Sequence, residues 1–255
     1  MVLDSIQKPN ISLRVNTLKI TSSDFEKQFT KEFGLTKTGV NDGLISEKPV
    51  VGTSIYHEGL VTIQDQASIL VGQVVDPKPN TRVLDMCSAP GGKLTHLGAL
   101  MKNSGQLVGY EISQSKITLI QENLQRLGVN NCQLFNGDAL LINDVKKFDS
   151  ILLDAPCSGF GVLKRKPEIK LNLNFSSLKH IENLQMQLLA VAYQNLKPNG
   201  FLTYSTCTIN RQENQDQINK FLMSHPDLQK VFEEQLFGFE NNTDGFYICK
   251  LQKKE

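Results

Sequence analysis

From residue 81 onward the chain repeats one pattern: a short apolar run, a turn, then a stretch with apolar residues at helical spacing. "TRVLDM" (81–86) leads through a turn containing Pro90, Gly91 and Gly92 into helical "KLTHLGALMK". "GQLVGYEI" is a strand, followed by the amphipathic helix "SQSKITLIQENLQRLG", which Ser113 caps and Gly128 stops. "CQLFNGDA" gives a strand and turn, and "FDSILLDAPC", apolar nearly all round, a buried strand. A long helix, "SLKHIENLQMQLLAVAYQNLKPNG", ends on Pro-Asn-Gly. Strand "FLTYSTC", helix "RQENQDQINKFLMSHP" and strand "DGFYICKLQ" complete the chain. Strands alternating with helices predict an α/β fold, a parallel sheet with helices on both faces. Such sheets bind ligands at the carboxyl ends of their strands. Asp85, Glu111, Asp138, Asp154, Cys157 and Cys207 all fall there.

The residues before this pattern are mixed. "ISLRVNTLKI" alternates like a strand, "SDFEKQFTKEFG" is a short helix ended by Gly34, and "GLIS" and "SIYHEG" suggest short strands and turns. We expect residues 1–60 to form a small α+β extension and 61–255 the main α/β domain, with helical "IQDQASILVGQVV" near its start. The formal net charge is only +1, so nucleic-acid binding has to come from a local basic patch. Lys164, Arg165, Lys166 and Lys170 supply one beside "DAPC", and Arg14 and Lys19 add to it from the extension. No apolar run approaches the roughly 18 residues of a membrane span. The first residues lack the basic-then-apolar design of a signal peptide. The five cysteines are an odd number and widely spaced, which points to free thiols in a reducing, cytoplasmic setting. Their spacing and the scarcity of histidine speak against a metal site.

Small residues and glycines in "LDMCSAPGGK" let the backbone approach a ligand. The dinucleotide fingerprint GxGxxG is absent, which argues against a nicotinamide enzyme. Glu111 at a second strand end suits ribose hydroxyls, and Asp138 at a third suits an adenine amino group. Each acid taken alone could equally cap a turn. The set "LRVNTLK", "IQDQAS", "VLDMCSAPGGK", "LVGYEIS", "NGDA", "LLDAPCSGFG", "KRKPEIK", "YSTCTI" with "QEN", and "DGFYICKL" resembles the RNA cytosine-5 methyltransferases of the Sun/RsmB/NSUN family. "GVLKRKPEIK" and "FLMSHPDL" look most like its bacterial small-subunit ribosomal RNA enzymes. The resemblance implies a Rossmann-like S-adenosylmethionine-dependent methyltransferase fold with a mostly parallel seven-stranded sheet.

It also implies roles for residues. Cys87, Ser88, Ala89, Pro90, Gly91, Gly92 and Lys93 would line the cofactor, with Glu111 on its ribose, Asp138 on its adenine side and Asp154 near the methyl group and the base. Cys207 would be the nucleophile and Cys157 the second active-site cysteine. Carbon 5 of cytosine is a poor nucleophile until a thiolate adds to carbon 6, and the thiol must later be expelled; one cysteine attaches and the other assists release. The family often has Arg-Arg where this chain has Lys164 and Arg165, and Thr at Leu94. Its ribosomal enzymes carry a NusB-type helical domain before "LRVNTLK", which here begins at Leu13, so a minimal form, or one whose domain is lost or removed, is expected. The expected substrate is 16S ribosomal RNA and the expected state a monomer; the same chemistry on transfer RNA, or a non-catalytic assembly factor on this fold, are the alternatives.

Overall fold

A computed structural model describes residues 10–169, 175–241 and 243–255. Its centre is a seven-stranded sheet in the order β10-β11-β9-β8-β5-β6-β7. The strands are β5 (Arg82–Asp85), β6 (Gln106–Glu111), β7 (Cys132–Asn136), β8 (Phe148–Asp154), β9 (Leu196–Thr206), β10 (Leu228–Leu236) and β11 (Phe246–Lys253). β5 to β9 run parallel, and the β10–β11 hairpin adds to them with β11 antiparallel to β9. The expected mostly parallel sheet is therefore present, in the arrangement of the S-adenosylmethionine-dependent methyltransferases.

β8 is apolar all round because it is buried on both faces. Ile151 and Leu153 join the core on one face, and Leu152 joins the core on the other. The chain builds β5, β6 and β7 in one direction, then returns to lay β8 and β9 on the opposite side of β5. The crevice between β5 and β8 is thus the switch point where ligands bind in such sheets. Asp85 and Asp154 end the two strands that flank it.

Local signals placed most elements. Gly34 and Gly128 end their helices in the left-handed region, at φ 62° and 73°. Four details differ. Ser113 stands at the helix start, but its side chain does not cap; Glu111 Oε1 accepts the Ser113 N–H instead, at 2.8 Å. Ser54–His57 is a helical turn. The long helix Phe175–Asn195 stops before Pro-Asn-Gly, which bulges between Leu196, paired with Phe148, and Phe201, paired with Ser150. Strand β10, "LQKVFEEQL", is an edge strand that alternates exposed and half-buried positions between its two buried ends, so it lacks the apolar run that marks its neighbours. No helix among the described residues is long and apolar enough to cross a membrane.

A second, antiparallel sheet has the order β2-β3-β1-β4, with β1 Ile11–Val15, β2 Thr36–Lys37, β3 Gly43–Ser46 and β4 Val61–Ile63. Leu13 and Val15 of β1 enter its small core with Phe25, Phe33 and Val61. Alternation turns Arg14 the other way, toward the large sheet. Arg14 is 1% exposed. Its guanidinium donates to Gln64 Oε1, to Gly92 O at 2.6 Å and to Thr95 Oγ1 at 3.0 Å. Burial pulls its pKa down to about 9. Lys19 likewise caps backbone, donating to Glu58 O and Arg126 O. Arg14 is thus buried away from any RNA groove and fastens the small sheet to the helix after the glycine loop, whereas Lys19 stays exposed while tying the small sheet to Arg126 O.

Replacing Arg14 by Met keeps volume but leaves Gly92 O, Thr95 Oγ1 and Gln64 Oε1 without their donor. We expect a loss of about 3 kcal/mol of unfolding free energy, read as a lower urea midpoint with an unchanged slope.

Candidate active site

The loop after β5 is built by short backbone ties. Ser88 N–H donates to Tyr110 O at 2.9 Å, Gly91 N–H to Ser88 O at 2.7 Å, and Ser88 Oγ to Asp85 O at 3.1 Å. Gly91 takes φ 99°, which a side chain would strain. Gly109 of β6 passes beneath the loop, where a Cβ would stand 2.8 Å from Ser88 Oγ. The next helix, Gly92–Leu100, therefore starts with its first-turn N–H groups at the mouth of a cavity of about 390 Å³.

Cys87, Ser88, Ala89, Pro90, Gly92 and Lys93 line this cavity, and so do Asp154, Cys207, Arg165 and Lys166. One space thus joins the glycine loop to the cysteine at the end of β9. Gly91 lies behind the loop against Ile120. Glu111 and Asp138 stand outside the lining, at the next two strand ends, and each holds its own turn: Glu111 accepts from Ser113 N, and Asp138 accepts from Leu140 N at 2.9 Å. Their charges still reach the site. Burial first, then the charges of Asp85, Asp154, Glu111 and Asp138, pushes the Cys87 thiol far above its ordinary range. The strand ends thus form an acidic rim that disfavours the Cys87 thiolate.

Lys93 does more than line the loop. Its ammonium crosses the crevice to Asp154 Oδ2 at 2.7 Å and lies 4.9 Å from the Phe246 ring centroid. Burial alone lowers its pKa, but the charge and hydrogen bond of Asp154 outweigh burial and raise it. Asp154 Oδ1 accepts from Ser205 Oγ at 2.7 Å, so the carboxylate is fixed at both oxygens.

The two cysteines meet. Cys157 Sγ lies 3.4 Å from Cys207 Sγ, although 50 residues separate them. The hydrogen bond from Cys157 lowers the Cys207 thiol pKa, and Lys93 and Lys166 help; burial and Asp154 oppose. The same shared hydrogen bond, then burial, then the charges of Cys207 and Glu213, raises Cys157. The surroundings thus favour the shared proton on Cys157 over Cys207.

The basic cluster divides. Lys166 lines the cavity, and Lys164 sits on the same turn. Arg165 is engaged elsewhere. Its Nε donates to both oxygens of Asp244, at 3.0 and 3.1 Å, and its Nη2 to Asp65 Oδ2 at 3.1 Å. Asp244 is buried and Asp65 half-buried, so a phosphate would have to displace both, and Arg165 acts as a latch across the cavity wall. Lys170 lies outside the described residues.

The motifs gave no role to Gln64, Asp65, Asp244 and Phe246, which line the cavity, or to Glu213, buried behind the cysteines. These residues sit in "IQDQAS", "DGF" and "QEN". Carboxylates inside otherwise apolar or neutral segments were the available signal. Among the described residues no three His, Cys, Asp or Glu are grouped to hold a metal ion.

A family model described as 16S rRNA methyltransferase RsmB/F matches residues 72–252. The chain is 35% identical over 269 residues to the probable ribosomal RNA small subunit methyltransferase B of Bacillus subtilis, covering 96% of this chain and 60% of that protein. It is 33% identical to the ribosomal RNA small subunit methyltransferase F of Escherichia coli, covering 99% and 59%. It thus spans about three-fifths of the length of these curated relatives. A solved methyltransferase homolog protein from Pyrococcus horikoshii superposes with a TM-score of 0.88 at 31% identity, over 98% of this chain and 88% of that one. NSun6 from the same organism shares the fold, with a TM-score of 0.89 at 21% identity, over 100% and 94%.

The floor of the site carries a pH signature. Asp85 is 1% exposed, and burial first, then the charge of Asp154, raises its pKa to about 7 against the pull of Lys93. The folded chain therefore holds a proton that the unfolded chain releases near pH 4. Stability should fall as pH rises from about 4 to about 7 and level off above, by about 4 kcal/mol at most. Urea unfolding of Asp85→Asn should lose this part of the slope; an identical slope in the variant would refute the assignment.

Proposed function

The chain belongs to the RsmB/F family of 16S rRNA methyltransferases, and from that premise we propose that it transfers a methyl group from S-adenosylmethionine to carbon 5 of a cytosine in small-subunit ribosomal RNA through a covalent bond to Cys207. The observation that carries this reading is the shared cavity, with the glycine loop on one wall and Cys207, in contact with Cys157, on another.

The residues present fit the cofactor. Asp85 Oδ2 is buried without a hydrogen-bond partner in an acidic rim, a setting that favours a positively charged ligand. The loop from Cys87 to Lys93 would hold it by its backbone, with Glu111 toward the ribose and Asp138 toward the adenine. When bound, S-adenosylmethionine supplies an electrophilic methyl group on a cationic sulfur.

The chain's own residues supply the rest. The Cys207 thiolate adds to carbon 6, and the electron pair of the 5,6 double bond becomes available at carbon 5. Asp154, held by Lys93 and Ser205, is oriented to accept from the amino edge of the base. After methylation the bond from Cys207 to carbon 6 breaks as the 5,6 double bond re-forms, and the proton on carbon 5 passes to the Cys157 sulfur once that sulfur has given its own proton to Cys207. Cys157, kept as a thiol, donates to the departing sulfur. Lys164 and Lys166 meet backbone phosphates of a strand whose cytosine is flipped inward. The small sheet, whose strand β4 carries it three residues past the expected boundary at residue 60, serves as an RNA-binding extension, and the protein acts in the cytoplasm as a monomer on RNA.

Ribosomal RNA from cells lacking the gene, incubated with the protein and cofactor and mapped by bisulfite sequencing, should gain one protected cytosine. Protection only in transfer RNA would overturn the substrate assignment. Cys207→Ser should abolish transfer and form no covalent RNA species, whereas Cys157→Ser should methylate once and accumulate an adduct that survives denaturing electrophoresis. An adduct in Cys207→Ser and none in Cys157→Ser would exchange the roles.

Changing Lys164 and Lys166 to Ala should reduce the slope of log affinity against log salt by about 0.7 for each lost single-strand phosphate contact. Changing Arg165 should instead lower stability, and an unchanged slope in the double-lysine variant would remove this loop from the RNA interface.

A further inference from the structure

Glu213 is 0% exposed, and its side chain is surrounded by neutral donors. Oε2 accepts from Ser158 N at 2.8 Å and from Gln185 Nε2 at 3.1 Å. Oε1 accepts from Ser158 Oγ at 2.5 Å and from Asn210 Nδ2 at 2.9 Å. Both oxygens are filled by donors, the pattern of a carboxylate rather than of an amide, whose NH₂ would oppose one pair of them. A full negative charge in this position is costly and has no ammonium or guanidinium among those four partners.

The location is specific. Ser158 directly follows Cys157, so the carboxylate sits one peptide from that thiol. Ser158 Oγ also lies 2.7 Å from Thr208 Oγ1, and Thr208 directly follows Cys207. Asn214, next to Glu213, donates to Thr208 O at 2.9 Å and accepts from Thr206 Oγ1 at 2.6 Å. One short segment therefore grips the residues flanking both cysteines and fixes their 3.4 Å contact.

We propose that Glu213 is a positioning residue that sorts the two thiols: its buried charge beside the Cys157 loop keeps the shared proton on Cys157 and so makes Cys207 the one that attacks. This rests on the reading of Cys207 as nucleophile. The surrounding charges are asymmetric in the required sense. Cys157 touches Cys207 and precedes Ser158, which Glu213 holds by both N–H and Oγ, and the Glu213 charge contributes to raising the Cys157 pKa. Cys207 shares its cavity with Lys93 and Lys166, whose charges pull its proton off, and with Asp154, which opposes them. An anion on one side and two cations on the other polarise the S–H···S pair in one direction.

The test uses the full chain without RNA. Iodoacetamide is added across a range of pH, and initial alkylation of each cysteine is followed by peptide mass spectrometry. In the unaltered protein Cys207 should react first. Glu213→Gln should bring the Cys157 profile down toward that of Cys207 and shrink the ratio of their rates about tenfold, the size of one pKa unit. Glu213→Asp, which keeps the charge but withdraws it by a methylene, should shift the Cys157 profile in the same direction by less and preserve the order; it also serves if the Gln variant does not fold. Folded variants with both profiles unchanged would overturn the proposal, since a purely structural role lowers the melting temperature without altering thiol order. Retained methyl transfer in Cys207→Ser would instead sink the nucleophile assignment while leaving the order of thiol alkylation as it is.

Discussion

The parallel pairing of β5 with β8 is the constraint on which everything else rests. Val83 lies opposite Ser150, Leu84 opposite Ile151 and Asp85 opposite Leu152. This register, fixed by apolar side chains buried on both faces, brings two strand ends to the same edge. It sets Asp85 and Asp154 around one crevice, with Lys93 reaching across. A slip of one residue would exchange the faces of the core and turn one of these acids away.

Two carboxylates so close, with Glu111 and Asp138 beyond them, make an edge that is hard to fold and well suited to a cation. The two acids nearest the crevice resolve the repulsion differently. Asp154 is held through Lys93 and Ser205, whereas Asp85, with one oxygen unpartnered, rises to about 7. Polarity at the carboxyl edge thus costs stability in the isolated chain, the usual relation between a preorganised site and the fold that carries it.

Buried polar groups do the positioning. Arg14 ties the small sheet to the first turn of the helix after the glycine loop, Arg165 latches the basic turn to Asp65 and Asp244, and Glu213 joins the two cysteine loops. Each makes several hydrogen bonds to groups far away in the chain, and each would be expensive if left half satisfied. Together they hold the glycine loop, the basic turn and the thiol pair against one another without a continuous strand or helix linking them.

Strand and helix alternation, the stops at Gly34 and Gly128, the strand-end acids and the two cysteine motifs were all legible in the chain, because periodicity and turn chemistry are local. The edge strand β10 was not, since solvent on one side removes its apolar run. Nor were the separate roles of the charged residues. Lys164, Arg165 and Lys166 look alike as a basic run, yet Arg165 is claimed by an acid 100 residues earlier. Arg14 looks like a groove cation, yet its partner Thr95 lies 81 residues away and buries it. Glu213 looks like part of a helix start, yet it serves Ser158, 55 residues before it. The sequence by itself determined which elements form and which chemistry they carry to the strand ends. Only the tertiary structure decided which charge meets which, because ion pairing and burial depend on distances in space that no spacing along the chain encodes.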